Sequence, residues 1–80
     1  MPVNRFRYVI AYDIPDDRRR AGVARALEGH GERVQYSVFE CLLQTKQFDA
    51  LWEELSELVE EGEDSLRVYR LCAACEEWTR

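Results

Sequence analysis

The chain has one histidine, two prolines, four glycines and three cysteines in 80 residues, and each scarcity excludes something. His30 is the only imidazole and lies in a Gly29-His30-Gly31 loop, so no Ser/His or Cys/His nucleophilic centre is expected around Ser37. Apolar residues never approach the run of about 20 that a membrane span needs, and no signal peptide is recognisable before the first apolar segment. An odd cysteine count without an export signal is expected of a chain kept in the reducing cytoplasm. Cys72-Ala73-Ala74-Cys75 has metal-like spacing. A structural zinc takes four ligands, however, and the chain adds only Cys41 and His30, on distant elements; small buried thiols are the expected reading. Linkers, repeats and low-complexity segments are missing as well. Positive charge is short too, with 11 Lys/Arg against 16 Asp/Glu for a net charge of −5.

What is present is a globular composition, 46% hydrophobic and 34% charged, expected to form one domain over residues 1–80. That length is near the lower limit for a self-sufficient core, which favours association of two copies. The charge is unevenly placed. Residues 1–46 hold eight Lys/Arg against six Asp/Glu, a balance of +2, whereas residues 47–80 hold three against ten, a balance of −7. A basic surface in the first half suits phosphate, and an acidic helix in the second suits solvent or a basic protein partner. Every cation except Lys46 is arginine, whose planar fork grips phosphate with two hydrogen bonds.

Phe6, Tyr8, Ile10 and Tyr12 alternate with Arg7, Val9, Ala11 and Asp13, the period of a strand. Residues 16–29 read as a helix with Val23, Ala24 and Leu27 on one side. Residues 33–43 are β-rich, enough for one strand or for two short ones meeting near Tyr36. Thr45 is expected to cap a second helix in which Phe48, Leu51, Trp52, Leu55, Leu58 and Val59 form an apolar stripe opposite an acidic face, ending near Gly62. Leu66–Leu71 gives a last strand. This order predicts an α+β, ferredoxin-like βαββαβ sheet with two helices on one face. A second copy is the simplest cover for the other face.

Chemistry concentrates at Tyr12-Asp13-Ile14-Pro15-Asp16-Asp17-Arg18-Arg19-Arg20, where the first strand becomes the first helix. Asp16 or Asp17 is expected to cap that helix. Asp13 precedes the cap and sits at the carboxyl end of the strand. It is either a hard-cation ligand beside phosphate-binding arginines or one half of an ion pair with Arg18, Arg20 or Arg33. Magnesium takes only one or two protein carboxylates, so a single Asp13 makes sense as half of a site built at a two-fold axis. Arg33 is a candidate phosphate ligand, and Phe39 either stacks on a base or belongs to the core.

The Tyr12–Arg20 motif, followed after a short helix by Gly31-Glu32-Arg33-Val34-Gln35-Tyr36-Ser37-Val38-Phe39-Glu40, resembles the small CRISPR-associated protein two family, the non-integrase partner of the spacer-acquisition complex. The resemblance implies a homodimer whose sheets face each other, with the two Asp13 carboxylates meeting across the interface to bind Mg²⁺. It also implies that residues 72–80 form a segment added to the partner's sheet. The implied activity is metal-dependent endonuclease action on RNA or DNA, or else a non-catalytic scaffold that bridges integrase dimers and holds protospacer DNA. Carried over by position, Asp13 is the metal ligand, and Tyr12, Arg20, Arg33 and Phe39 are candidate catalytic residues. Arg18, Arg19, Arg20 and Arg33 are candidate nucleic-acid contacts. The acidic second half and the Cys72/Cys75 pair depart from the family pattern. A toxin-like ribonuclease shares the same small α+β build.

Overall fold

Large side chains at alternate positions of the first apolar segment need a hydrophobic layer on one side only, and the two helices provide it. The structure is a computed structural model that describes residues 5–71; Cys72, Cys75 and the expected exchanged segment 72–80 lie outside the described residues. The elements run β1 (Phe6–Asp13), α1 (Asp17–Glu28), β2 (Gly31–Gln35), β3 (Val38–Leu43), α2 (Thr45–Leu58) and β4 (Ser65–Leu71). The strands form one antiparallel sheet in the order β2-β3-β1-β4, the expected ferredoxin-like arrangement.

Tyr8, Ile10 and Tyr12 of β1 and Phe39, Cys41 and Leu43 of β3 point to the helix side, where Val23, Ala24, Leu27, Leu51 and Leu55 bury them. Tyr8 stacks on Phe48 with ring centroids 4.1 Å apart, and Phe48 stacks in turn on Trp52 at 5.7 Å. The intervening residues Arg7, Val9, Ala11 and Asp13 fall on the opposite, open face. The pairings Ala11↔Arg67 and Val9↔Tyr69 with β4, and Ala11↔Val38 and Val9↔Glu40 with β3, put those partners on the same face.

The caps decide between the alternatives left open by the sequence. Asp16 accepts a hydrogen bond from the Arg19 backbone N–H at 2.9 Å and is the N-cap of α1, while Asp17 lies in the first turn near the positive end of the helix dipole. In α2 the cap is Gln44 rather than Thr45, and the Gln44 N–H donates to Gln47 Oε1 at 2.9 Å. The helix stops at Leu58. Val59 is already extended but still packs on the core, and Gly62 turns the chain toward β4 at φ +93°. Residues 33–43 form two strands, not one, joined at Tyr36-Ser37 and bulged between Arg33 and Gln35. The hairpin begins earlier than expected, at Gly31. A Cβ there would run into the Glu40 carbonyl and approach Cys41 Sγ to 2.6 Å, so only glycine permits the close pairing.

Candidate functional site

β1 ends on Asp13, and the pleat turns this side chain to the open face, opposite Ser65 of β4. The carboxylate is exposed and makes no hydrogen bond or ion pair among the described residues. The alternative in which Asp13 pairs with Arg18, Arg20 or Arg33 is therefore not what folds. Arg18 and Arg20 are near Asp13 in sequence, but Pro15 and the helix start carry them away from it, and Arg33 stands on β2 over Phe39.

Each arginine has a different fate. Arg18 is exposed and has no partner among the described residues. Arg19 crosses to the loop before β4, where Nε donates to Asp64 Oδ2 at 2.7 Å and a terminal nitrogen donates to Oδ1 at 3.2 Å. Asp64 also accepts the Glu60 backbone N–H at 2.8 Å, and its side chain is shut off from solvent. The Arg19 hydrogen bonds hold the Asp64 carboxyl below the usual carboxylate range and push the Arg19 guanidinium up. One edge of the Arg19 guanidinium is thus bidentate on Asp64 and fastens α1 to the loop before β4.

Arg20 donates to the Ile14 carbonyl at 2.8 Å and to Asp17, which raises its pKa further. Arg33 stands 3.7 Å from Glu28 and lies over the Phe39 ring at 5.3 Å. Phe39 itself is 0% exposed, enclosed by core residues and stacked 6.3 Å from Tyr12. Of the two readings of Phe39, the structure places the ring with the core residues, with the Arg33 guanidinium above it. The Tyr12 hydroxyl donates to the Tyr36 carbonyl at 3.5 Å. Burial pushes this phenol above its ordinary value of 10.0 against the opposing pull of Arg33 and Arg20.

Two shallow recesses result, divided by the Tyr12 backbone. On the open side, Ala11, Tyr12, Asp13, Ser65 and Arg67 line about 230 Å³. On the helix side, Tyr12, Asp17, Arg20, Ala21, Ala24, Arg33 and Tyr36 line about 160 Å³. The expected site residues are thus split. Asp13 stands in one recess, while Tyr12, Arg20 and Arg33 gather in the other. Arg67 was missed by the sequence reading. The signal for it was the alternation Leu66-Arg67-Val68-Tyr69, but using that signal requires the β1–β4 register. No cluster of three or more His, Cys, Asp or Glu side chains is placed to hold a metal ion among the described residues. One exposed carboxylate with small neighbours Ala11 and Ser65 fits a hard, largely hydrated cation such as Mg²⁺ only as one part of a larger donor set. No helix among the described residues is long and apolar enough to cross a membrane.

The sequence and the fold both have relatives. The family model for CRISPR associated protein Cas2 matches residues 6–78. A protein of Synechocystis sp. named CRISPR-associated endoribonuclease Cas2 3 is 59% identical over 66 residues, covering 82% of this chain and 72% of the relative. CRISPR-associated endonuclease Cas2 2 of Thermus thermophilus is 45% identical over 69 residues, covering 86% and 77%. Among solved structures, Streptococcus pyogenes Cas2 superposes with a TM-score of 0.80 at 28% identity, covering 92% of this chain and 94% of that one. A chain of a partial Cas6-RT-Cas1--Cas2 complex does so with a TM-score of 0.77 at 31% identity, covering 90% and 84%. With a family match across nearly its whole length and close relatives on both sides of the endoribonuclease and endonuclease names, this chain belongs to the CRISPR associated protein Cas2 family.

Proposed function

We propose that this chain acts in CRISPR spacer acquisition, in the cytoplasm, as a homodimer that binds nucleic acid beside the CRISPR integrase and hydrolyses phosphodiester bonds with the help of Mg²⁺ or another divalent cation. The observation that carries this reading is the unpartnered Asp13 carboxylate at the end of β1, on a sheet face that no described element covers and beside the cation of Arg67. The names of the relatives, endoribonuclease and endonuclease, support the reaction class.

The open face supplies the dimer surface. Val9, Ala11, Val38 and the half-exposed Tyr69 form an apolar centre flanked by the Arg7–Glu40 ion pair. Two copies placed face to face bring two Asp13 carboxylates to the same side of the sheet pair. Two such charges in proximity repel unless a cation lies between them, so the pair is suited to holding one. When bound, the divalent ion lowers the pKa of its water and offsets negative charge on the phosphate. The remaining work falls to side chains: Asp13 holds the ion, Arg67 grips the phosphate from the neighbouring strand, and Arg18 holds the flanking backbone.

Cleavage of single-stranded RNA and of duplex DNA, measured against Mg²⁺ concentration for the wild type and Asp13→Asn, tests the proposal. Activity that follows Mg²⁺ and disappears in Asp13→Asn supports it. Equal cleavage by both proteins, or activity insensitive to EDTA, refutes it.

The scaffold reading has an observation of its own, the exposed Arg18 without a partner among the described residues, and one relative in fold was solved in a partial Cas6-RT-Cas1--Cas2 complex. In that case Arg18 and Arg20 hold duplex backbone without reading sequence. Spacer acquisition in cells would then survive Asp13→Asn and be lost on reversing the charges of Arg18 and Arg20. Arg19 is left intact in that variant because its reversal breaks the Asp64 clasp.

A further inference from the structure

We propose that the helix-side recess is a nucleotide-binding subsite for single-stranded nucleic acid, in which Tyr36 stacks on a base while Arg20 and Arg33 hold the adjoining phosphate. The proposal deepens the nucleic-acid reading above but does not depend on Asp13 or on a metal.

Tyr36 occupies the tip of the β2–β3 hairpin with its side chain outward, and the residue is 71% exposed. A large aromatic ring at a hairpin tip contributes nothing to the core, yet here it borders a concave wall. Its neighbours in that wall are the two arginines, the Tyr12 phenol and the small side chains Ala21 and Ala24 of α1. The alanines keep the floor shallow enough for a planar ring to enter.

The two guanidiniums are positioned before any ligand arrives. Arg20 is held by the Ile14 carbonyl, and the Arg33 guanidinium stands over the Phe39 ring, 5.3 Å from its centroid. Their carboxylate partners are weakly committed: the Asp17 side chain is 88% exposed and that of Glu28 is 59% exposed. Exposed ion pairs contribute little net stability, so a phosphate that accepts two hydrogen bonds from a fixed arginine displaces such a carboxylate at small cost. An aromatic platform beside backbone-holding cations is the general design by which single strands are bound, because every base has a face to stack. A duplex buries those faces within its own stack and cannot use the platform. The shared chemistry of RNA and DNA strands here is an accessible base face joined to a phosphate.

Fluorescence anisotropy in EDTA, with short labelled single-stranded RNA, single-stranded DNA of the same sequence, the corresponding duplex and an abasic strand, tests the subsite on the full chain. Tyr36→Ala is expected to weaken single-strand binding roughly 5- to 100-fold, Tyr36→Phe to retain it within about twofold, and neither to change binding of the abasic strand or the duplex. A larger effect on RNA than on DNA assigns the subsite to RNA, and equal effects assign it to both. Circular dichroism confirms that the variants fold, as expected for an exposed position. Unchanged single-strand affinity in Tyr36→Ala overturns the subsite and leaves the nucleic-acid reading standing, as does a wild type that binds only duplex. A wild type that binds none of the four probes overturns both.

Discussion

On one side of the sheet Tyr8, Ile10, Phe39 and Cys41 disappear beneath α1 and α2; on the other, Val9, Ala11, Val38 and Tyr69 alternate with Arg7, Asp13, Glu40 and Arg67 and meet no covering element among the described residues. The same strands build both faces, so propensity cannot explain the contrast. The covered face is a finished core: its rings stack, its thiol is pushed up in pKa by burial, and no buried side-chain polar atom lacks a partner among the described residues. The open face mixes apolar residues with charges in a way that a solvated sheet does not need. One face therefore holds the core of the fold, and the other is the face that the proposed dimer would use.

The largest expected effect lies on the covered face. Phe39→Ala removes a ring at the centre of the core and should cost about 3–5 kcal/mol in urea unfolding, a large share of the roughly 5–15 kcal/mol typical of a whole domain. A loss near zero would mean that Phe39 is not structural and would reopen its assignment as a ligand contact. Tyr69→Ala, on the open face, should do the opposite. Its effect on the unfolding of a dilute monomer should stay within about 0.5 kcal/mol, yet sedimentation velocity should show self-association weakened about tenfold or more. Unchanged self-association would remove this face from the dimer.

The smallest effect is a pH dependence tied to the clasp at the edge between the faces. Because Arg19 lowers the folded-state pKa of Asp64 below its ordinary 3.8, the clasp adds stability above that value. The contribution is lost as the pH falls through the lower folded value, where the carboxylate takes up a proton. The urea-unfolding free energies of the wild type and Asp64→Asn should therefore differ at neutral pH, and the difference should shrink only as the pH falls below 3.8 and through the lower folded value. Parallel curves down to acid would show that the Arg19 contact is not formed in solution.

Much of this contrast could be read from the sequence. The alternation in residues 6–13 fixes which β1 side chains share a face, and the stripe containing Leu51 and Leu55 fixes the buried side of α2. Asp13 was legible as a strand-end carboxylate too early to cap the helix, but its pairing with Arg18, Arg20 or Arg33 stayed open until the fold placed those arginines elsewhere. The fates of Arg18, Arg19 and Arg20 were not legible. Three adjacent arginines on a helix point in three directions, and Arg19 finds Asp64, 45 residues away, only when the α2–β4 loop closes against α1. Phe39 was ambiguous for a related reason, since a strand aromatic reads alike whether its face is covered or open.

What the sequence determined by itself is what depends on period and local sterics: two amphipathic helices, a strand with two unlike faces and a helix start at Asp16 or Asp17. The tertiary structure decided which distant groups meet. It placed Arg67 beside Asp13 through the β1–β4 register, spent Arg19 on Asp64, and gathered Tyr12, Arg20, Arg33 and Tyr36 around one recess. Pairing and closure are long-range events whose geometry is set by how whole elements pack, and no window of adjacent residues contains them.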